Sequence, residues 1–272
     1  MTRVILGYDN GSSAVKIIAI NGEKIEATKC IIGSDRFAGE LILEFLKENN
    51  ISAASVETVA ATGVGAEKCR FDGFDGRVVF VPEIEATGLG GSWISKLDEA
   101  IIVSIGTGTS LALARNGSFT HIGGTGVGSG TLRGISKKMF GTTDLRELFE
   151  LAEQGNRLTV DITIGDLFSG TDTLPLDLTA SNLAKASDDA TRADWAMALV
   201  NTIMEVAGSH AALACNGYNV KNVVITGGIS QTRIAKVVYD GFTKLYKLNY
   251  VIPEYSGCAT AIGAAKRVQN GT

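Results

Sequence analysis

The sequence predicts an α/β protein of two matching lobes, each a mixed central sheet flanked by helices. Three observations carry that prediction. A strand, a glycine-rich hairpin and a second strand occur at 3–20 and again at 100–114. Early strands then give way to helices alternating with strands, the pattern of a mixed sheet with helices packed on it. Finally, 33 glycines stand against 3 prolines, gathered in short motifs between strand-like and helix-like segments rather than spread as a linker or a collagen repeat.

The first lobe is expected over 1–97. Apolar runs give strands at 3–8, 14–20 and 24–30. A helix follows at about 35–48, where Phe37, Leu41, Ile42, Phe45 and Leu46 fall on one face. Runs at 58–62 and 78–81 read as buried strands. The second lobe, 98–258, opens with strands at 100–105, 110–114 and 119–122, with Asn116-Gly117 turning between the last two. Helical periodicity covers 128–154, and a long helix covers about 191–215. A strand at 223–226, a helix near 230–245 and a strand near 250–252 complete it. The C-terminal helix, about 259–272, can pack back on the first lobe.

Composition narrows the function classes. Hydrophobic residues make up 45% of the 272, enough for a sizeable core, and no apolar run reaches the roughly 18–20 residues of a membrane span. A basic region followed by a long apolar stretch is missing at the start, so no secretory leader is expected. The four cysteines lack C-x-x-C spacing, which points to a reduced cytoplasm rather than to disulfides, zinc or an iron–sulfur centre. Formal net charge is −4 and basic residues are dispersed, with Lys137-Lys138 and Lys266-Arg267 the only adjacent basic pairs. Neither nucleic acid nor a membrane is an expected partner.

Four glycine-rich segments need an account: 9–16, 104–110, 122–134 and 225–230. None is a P-loop or a dinucleotide fingerprint. Small residues nevertheless let successive backbone N–H groups converge on an anion, and hydroxyls add donors. In the first, Asp9 closes a strand ahead of Gly11, Ser12, Ser13 and Lys16. Its carboxylate can hold Mg²⁺ through water while Ser12, Ser13 and Lys16 meet a transferring phosphate. In the second, Gly106, Thr107, Gly108 and Thr109 form a hairpin able to clasp the other side of the phosphate chain, just after Ser104. The plain reading of either loop alone is a tight turn; two of them opening two matching halves favour a shared site.

The segment from Gly123 through Gly126, Gly128 and Gly130 to Gly134 places glycines and hydroxyls before a helix, as in an anion site at a helix N-terminus. Gly227 and Gly228 lie between a strand and a helix. There the lack of Cβ atoms admits a flat base, or simply makes a turn. For proton transfer, Glu83 and Glu85 follow the strand at 78–81, and one of them is placed to orient or deprotonate an acceptor hydroxyl. The alternative is a pair of acids in a helix first turn, favoured by the macrodipole. His210 lies within the long helix and reads as structural.

Together these segments resemble the actin-like ATPase superfamily, whose ribonuclease H-like lobes are duplicated and whose members include acetate and sugar kinases, actin and the large heat-shock chaperones. The resemblance runs end to end and is closest to the type II pantothenate kinases. The first phosphate motif is similar to Asp9-x-Gly11-x-Ser13-x-x-Lys16, with Ser13 where threonine is usual. The second is similar to Gly106-Thr-Gly-Thr-Ser110, and the glycine-rich stretch to Gly123-Gly-Thr-Gly-Val-Gly-Ser-Gly130. "TLPLDLTASNLAK" at 173–185 and "YSGCATAIGAA" at 255–265 narrow the match.

The resemblance implies ATP- and Mg²⁺-dependent phosphorylation of pantothenate, the first step toward coenzyme A, in a cytoplasmic homodimer. Glu83 takes the catalytic position and Glu85 the acidic one that follows. Ser104, Glu83, His121 and Gly123 fall at substrate positions, and the second lobe carries the adenosine region and the dimer helix. One departure stands out. The family's substrate-holding arginine is replaced by His121. Losing an ionic hydrogen bond costs roughly 1.5–3 kcal/mol, about 10- to 150-fold in affinity. The acceptor's carboxylate is then held weakly, passes to Arg133 or a lysine, or the acceptor is another small alcohol such as an amino sugar. An ATP-binding regulator without turnover, or the activator of a radical dehydratase that "ATGVGA" at 61–66 resembles, are the remaining readings. The last requires clustered cysteines that the sequence lacks.

Overall fold

The computed structural model describes residues 3–33, 36–168 and 175–271. Residues 35, 173, 174 and 272, within the expected 35–48 helix, the 173–185 segment and the C-terminal helix, lie outside them, as do 1 and 2 of the first lobe.

The first sheet is built from β1 (Val4–Asn10), β2 (Ala14–Asn21), β3 (Lys24–Ile32), β4 (Val56–Thr62) and β5 (Val78–Phe80), in the order β3-β2-β1-β4-β5. Helices α1 (Ala38–Glu48) and α2 (Glu83–Ser95) follow β3 and β5. The first three strands form an antiparallel meander, and β4 and β5 add in parallel to β1. Burial tracks strand position. Central β1 is buried along most of its length, whereas edge strand β3 alternates exposed and half-covered residues. On α1 the expected face holds at Leu41, Ile42, Phe45 and Leu46, all buried. Phe37 departs from it: it precedes the first helical turn and stays 45% exposed, with the Arg70 guanidinium 4.4 Å above its ring.

The second sheet repeats the plan. It comprises β6 (Glu99–Ile105), β7 (Thr109–Arg115) and β8 (Ser118–Thr125). Next come α3 (Ser129–Met139) and α4 (Leu145–Ala152). A small insertion carries β9 (Ile162–Thr163), α5 (Ile164–Leu167) and β10 (Thr179–Ser181). Then follow α6 (Arg192–Tyr218), β11 (Asn222–Thr226), α7 (Arg233–Tyr246), β12 (Asn249–Val251) and α8 (Ala259–Gln269). Its order is β12-β11-β6-β7-β8. Counted within each lobe, both five-stranded sheets read third-second-first-fourth-fifth, so the duplication extends to topology.

Two features of the second lobe differ from the sequence expectation. Helical periodicity at 128–154 resolves into two helices, because Gly141 turns with φ 77° and Asp144 caps α4 by accepting from the Arg146 N–H. Strand β8 runs through Gly123 and Gly124 to Thr125, paired with β7.

Helix α6 starts at a capping box between Thr191 and Asp194 and ends at Asn219 in the left-handed region. By length and composition it is apolar enough to cross a bilayer, but 61% of its most apolar window is buried inside the protein. It is the core helix of this lobe, with Leu199, Ile203, Met204, Ala207 and Ala211 in the buried cluster. Thr179 and Asn182 of the "LTASN" run donate to the Glu205 carboxylate on α6, at 2.8 and 2.7 Å, and Arg157 donates to the Thr179 hydroxyl. That run therefore fastens the insertion to the core helix.

Helix α8 leaves the second sheet and packs on α2, β1 and β4. The crossing is close: a Cβ on Gly90 would overlap the Ala259 carbonyl, and one on Gly263 would overlap that of Ala86. The adjacent basic residues of α8 are consumed there. Buried Lys266 donates to the Gly22 carbonyl and Glu23, and Arg267 pairs with Glu85.

Candidate active site

Each lobe presents a hairpin to the cleft between them. In the first, β1 and β2 pair antiparallel with Asp9 opposite Lys16, so the seven-residue spacing becomes a cross-strand ion pair, Lys16 Nζ to Asp9 Oδ2 at 3.0 Å. In the second, β6 and β7 place Ser104 opposite Ser110. Both pairs stand second from their turns. The duplicated frame thus carries two charges in one lobe and two hydroxyls in the other. The hairpin tips meet, with Ser13 Oγ 2.9 Å from Thr107 Oγ1.

A cleft of about 580 Å³ opens around these tips. Asp9, Gly11, Ser12, Ser13 and Lys16 line it from the first lobe, together with Glu83. Ser104, Gly106, Thr107, Gly108 and Thr109 line it from the second, with Gly227 and Gly228 beyond them. Thirteen of the residues singled out by sequence therefore share one cavity.

Burial governs the electrostatics. It raises the Asp9 carboxyl above its ordinary range against the pull of Lys16. Burial disfavours the Lys16 ammonium, but the attraction and hydrogen bond of Asp9 outweigh this and hold its pKa above the usual value, so Lys16 stays charged. Glu83 is the first residue of α2, and its carboxyl is raised by burial and then by the like charge of Asp9, with Lys16 opposing. The two glutamates part company here. Glu85, two residues on, turns to an ion pair with Arg267 at 2.6 Å and does not line the cleft.

The far wall comes from two sources. Gly227 has φ 102° and a Cβ there would overlap the Ile105 carbonyl, so backbone geometry accounts for this glycine by itself. Gly228 has no atom within 4 Å of its Cβ position and leaves its face of the cleft open. Arg133 of α3 and Asp144, Arg146 and Phe149 at α4 also line this cavity. Of these only Arg133 drew notice in the sequence. The others are ordinary helix and cap residues, and nothing in their spacing marks them.

Five expected residues do not line the cleft. Gly126, Gly128 and Gly130 sit behind it. The Ser129 and Gly130 N–H groups donate to the Gly106 and Thr107 carbonyls at 2.8 and 2.9 Å. The start of α3 therefore spends its donors on the second hairpin instead of offering them to an anion. A Cβ on Gly128 would stand 2.7 Å from the Gly106 and Gly108 carbonyl oxygens, so this glycine lets the helix support the hairpin from below. His121 and Gly123 are strand residues of β8: His121 falls within the strand expected at 119–122, and pairing with β7 carries that strand past 122 to take in Gly123. His121 lies opposite Ala112 and is exposed, outside the lining of this cleft.

Three carboxylates line the cleft, Asp9, Glu83 and Asp144, and Asp144 is taken up by Arg146. Asp9 Oδ2 is engaged by Lys16, and Oδ1 accepts no hydrogen bond among the described residues. No group of three or more His, Cys, Asp or Glu side chains gathers among those residues. One buried carboxylate beside small-residue loops suits a Mg²⁺ that keeps its waters and takes phosphate oxygens.

Comparison with known proteins places this geometry in context. The family model described as Fumble matches residues 98–249. The type II pantothenate kinase of Bacillus cereus (strain ATCC 14579) is 26% identical over 272 residues, spanning 95% of this chain and 96% of that protein. That of Staphylococcus aureus (strain bovine RF122 / ET3-1) is 27% identical over 274 residues, spanning 95% and 97%. Among solved structures, component A of the (R)-2-hydroxyglutaryl-CoA dehydratase of Acidaminococcus fermentans superposes with a TM-score of 0.67 at 20% identity, covering 97% of this chain and 96% of that one. A ROK family glucokinase from Streptomyces griseus, in complex with glucose and AMPPNP, gives 0.62 at 13%, covering 98% and 100%. At those identities the structures speak to the fold alone.

Proposed function

The chain belongs to the Fumble family, and from that premise we propose that it transfers the γ-phosphoryl group of ATP to the primary hydroxyl of pantothenate, giving 4′-phosphopantothenate and ADP. The observation that carries this reading is the placing of Glu83 beside the Asp9–Lys16 pair, in a cleft closed by two glycine hairpins. Near full-length similarity to type II pantothenate kinases supports the acceptor.

The residues divide the chemistry. Glu83 takes the proton of the acceptor hydroxyl as its oxygen bonds to the γ-phosphorus. The bond from that phosphorus to the β-bridging oxygen breaks, and ADP leaves. Its raised pKa brings Glu83 closer to the hydroxyl it serves than an ordinary carboxylate is. Lys16, the Ser12, Ser13 and Thr107 hydroxyls and the N–H groups of both hairpins hold the phosphate oxygens in line. Asp9 is the residue that would hold Mg²⁺, which would supply neutralisation of the phosphate charge. Ser104 and Ser110 supply hydroxyls to the acceptor side. The domain division at about residue 97, with α8 counted to the first lobe, suits closure of the cleft around both substrates. The reading includes a cytoplasmic homodimer. Four free thiols agree with a reducing compartment, and the homodimer rests on the likeness to the type II pantothenate kinases.

A substrate panel tests the acceptor. Coupled ADP release measured with pantothenate, glucose, N-acetylglucosamine and N-acetylmannosamine is expected to saturate with pantothenate alone. Saturation with a sugar and not with pantothenate would keep the kinase and replace its acceptor.

A further inference from the structure

Arg133 stands one turn beyond the α3 backbone groups that support the second hairpin, and it lines the cleft. Its Nε is buried and has no hydrogen-bond partner. A guanidinium is always charged and offers five donors in a planar fork; with Nε closed off and unmatched, the terminal nitrogens are the donors left to meet an acceptor in the cleft, and no hydrogen bond or ion pair to them is seen among the described residues. The nearby acid is already committed. Asp144 feels Arg133, but its Oδ1 accepts the Arg146 N–H at 2.9 Å and its Oδ2 the Arg146 guanidinium at 2.8 Å.

The position of Arg133 along the cleft selects the acceptor. Glu83, Asp9 and Lys16 reach the cleft from the first lobe, whereas Arg133 reaches it from α3 of the second, where Asp144, Arg146 and Phe149 also line it. Arg133 therefore stands apart from the transfer end. With the transferred phosphate held by Lys16 and the two hairpins, as the kinase reading has it, the rest of the nucleotide would run past the 106–108 hairpin toward α3 and α4. Phe149 there and the open backbone of Gly228, which lines the same cavity, offer flat surfaces to a base.

We infer that Arg133 holds a phosphate of the nucleotide that is not transferred, the one next to the ribose, and so makes binding depend on a nucleoside phosphate rather than on a nucleoside. This inference rests on the ATP-dependent kinase reading above. It differs from the sequence expectation that gave Arg133 to the acceptor's carboxylate.

Calorimetric titration of ADP and of adenosine into the wild type, Arg133→Gln and Arg133→Lys tests it, alongside KM values for ATP and pantothenate. Arg133→Gln is expected to weaken ADP about 10- to 150-fold, the worth of a charge-assisted hydrogen bond, and to leave adenosine within twofold. Arg133→Lys, which keeps charge without the fork, is expected between the two. Unaltered melting temperatures would show that both variants fold. Equal weakening of ADP and adenosine, or a raised pantothenate KM with ADP binding intact, would overturn the assignment. Wild-type protein that binds no ADP would remove the kinase reading with it, whereas a wild type that binds ADP no better than Arg133→Gln would sink this inference alone.

Discussion

Glu83→Gln is expected to lower kcat by about 10² to 10⁴-fold, the range contributed by a positioned base, with little change in ATP affinity. The amide keeps the shape of the side chain and removes only its capacity to accept a proton. Stability should move the other way. Burial and Asp9 raise the Glu83 pKa above its ordinary 4.5. A group whose folded pKa is raised contributes stability that is present below the unfolded pKa and lost as pH rises through the folded one. At neutral pH the ionised carboxylate therefore works against folding, and Gln relieves it. The expected result is a variant that melts at or above the wild-type temperature while turning over far more slowly. In the wild type, kcat should fall on the acid side with a limb lying above 4.5, and Glu83→Gln should lose that limb. A variant with wild-type turnover, or one whose slow turnover keeps the same acid limb, would take the base role away from Glu83.

Asp9→Asn is the second large effect. The amide oxygen still accepts the Lys16 hydrogen bond, so the β1–β2 hairpin keeps its register and the protein folds. Burial raises the Asp9 pKa, so its ionised form works against folding at neutral pH and the amide relieves that cost, while Lys16 loses its counter-charge; the two effects oppose each other and the net change in stability is expected to be small. Activity should suffer much more, by roughly 10² to 10³-fold, because the buried carboxylate that would hold Mg²⁺ at the phosphates is gone. Raising Mg²⁺ should recover part of that loss, since the cation still binds the nucleotide. Lys16→Met offers the matching control. It leaves the carboxylate buried without its cation and should destabilise the hairpin more than Asp9→Asn does. Wild-type turnover and an unchanged Mg²⁺ requirement in Asp9→Asn would remove Asp9 from the site.

The two hairpins were legible because each is punctuated by glycine between apolar runs, and the repetition of that pattern disclosed the two lobes. The Asp9–Lys16 pairing follows from the same turn, once cross-strand register is counted. The choice between Glu83 and Glu85 was not legible. It depends on Arg267, which lies near the other end of the chain and meets Glu85 only where α8 crosses α2. Gly123 is placed wrongly by the sequence pattern for a local reason: glycines are weak strand formers, so the pattern ends the strand at 122, whereas pairing with β7 carries it to Thr125. The glycine-rich start of α3 was read as an anion site, but its donors go to the second hairpin. Asp144, Arg146 and Phe149 were missed because a wall built from ordinary helix residues acquires its meaning only from the cleft it faces.

The most direct test of the account is product identification after incubation with ATP, Mg²⁺ and pantothenate. Mass spectrometry combined with phosphorus NMR would show whether, and where, a phosphoryl group has been added. The account predicts a monoester at the primary hydroxyl of pantothenate, formed in step with ADP and nearly absent with Glu83→Gln. ATP binding with no phosphorylated pantothenate, or a product formed equally well by the Glu83→Gln variant, would contradict it.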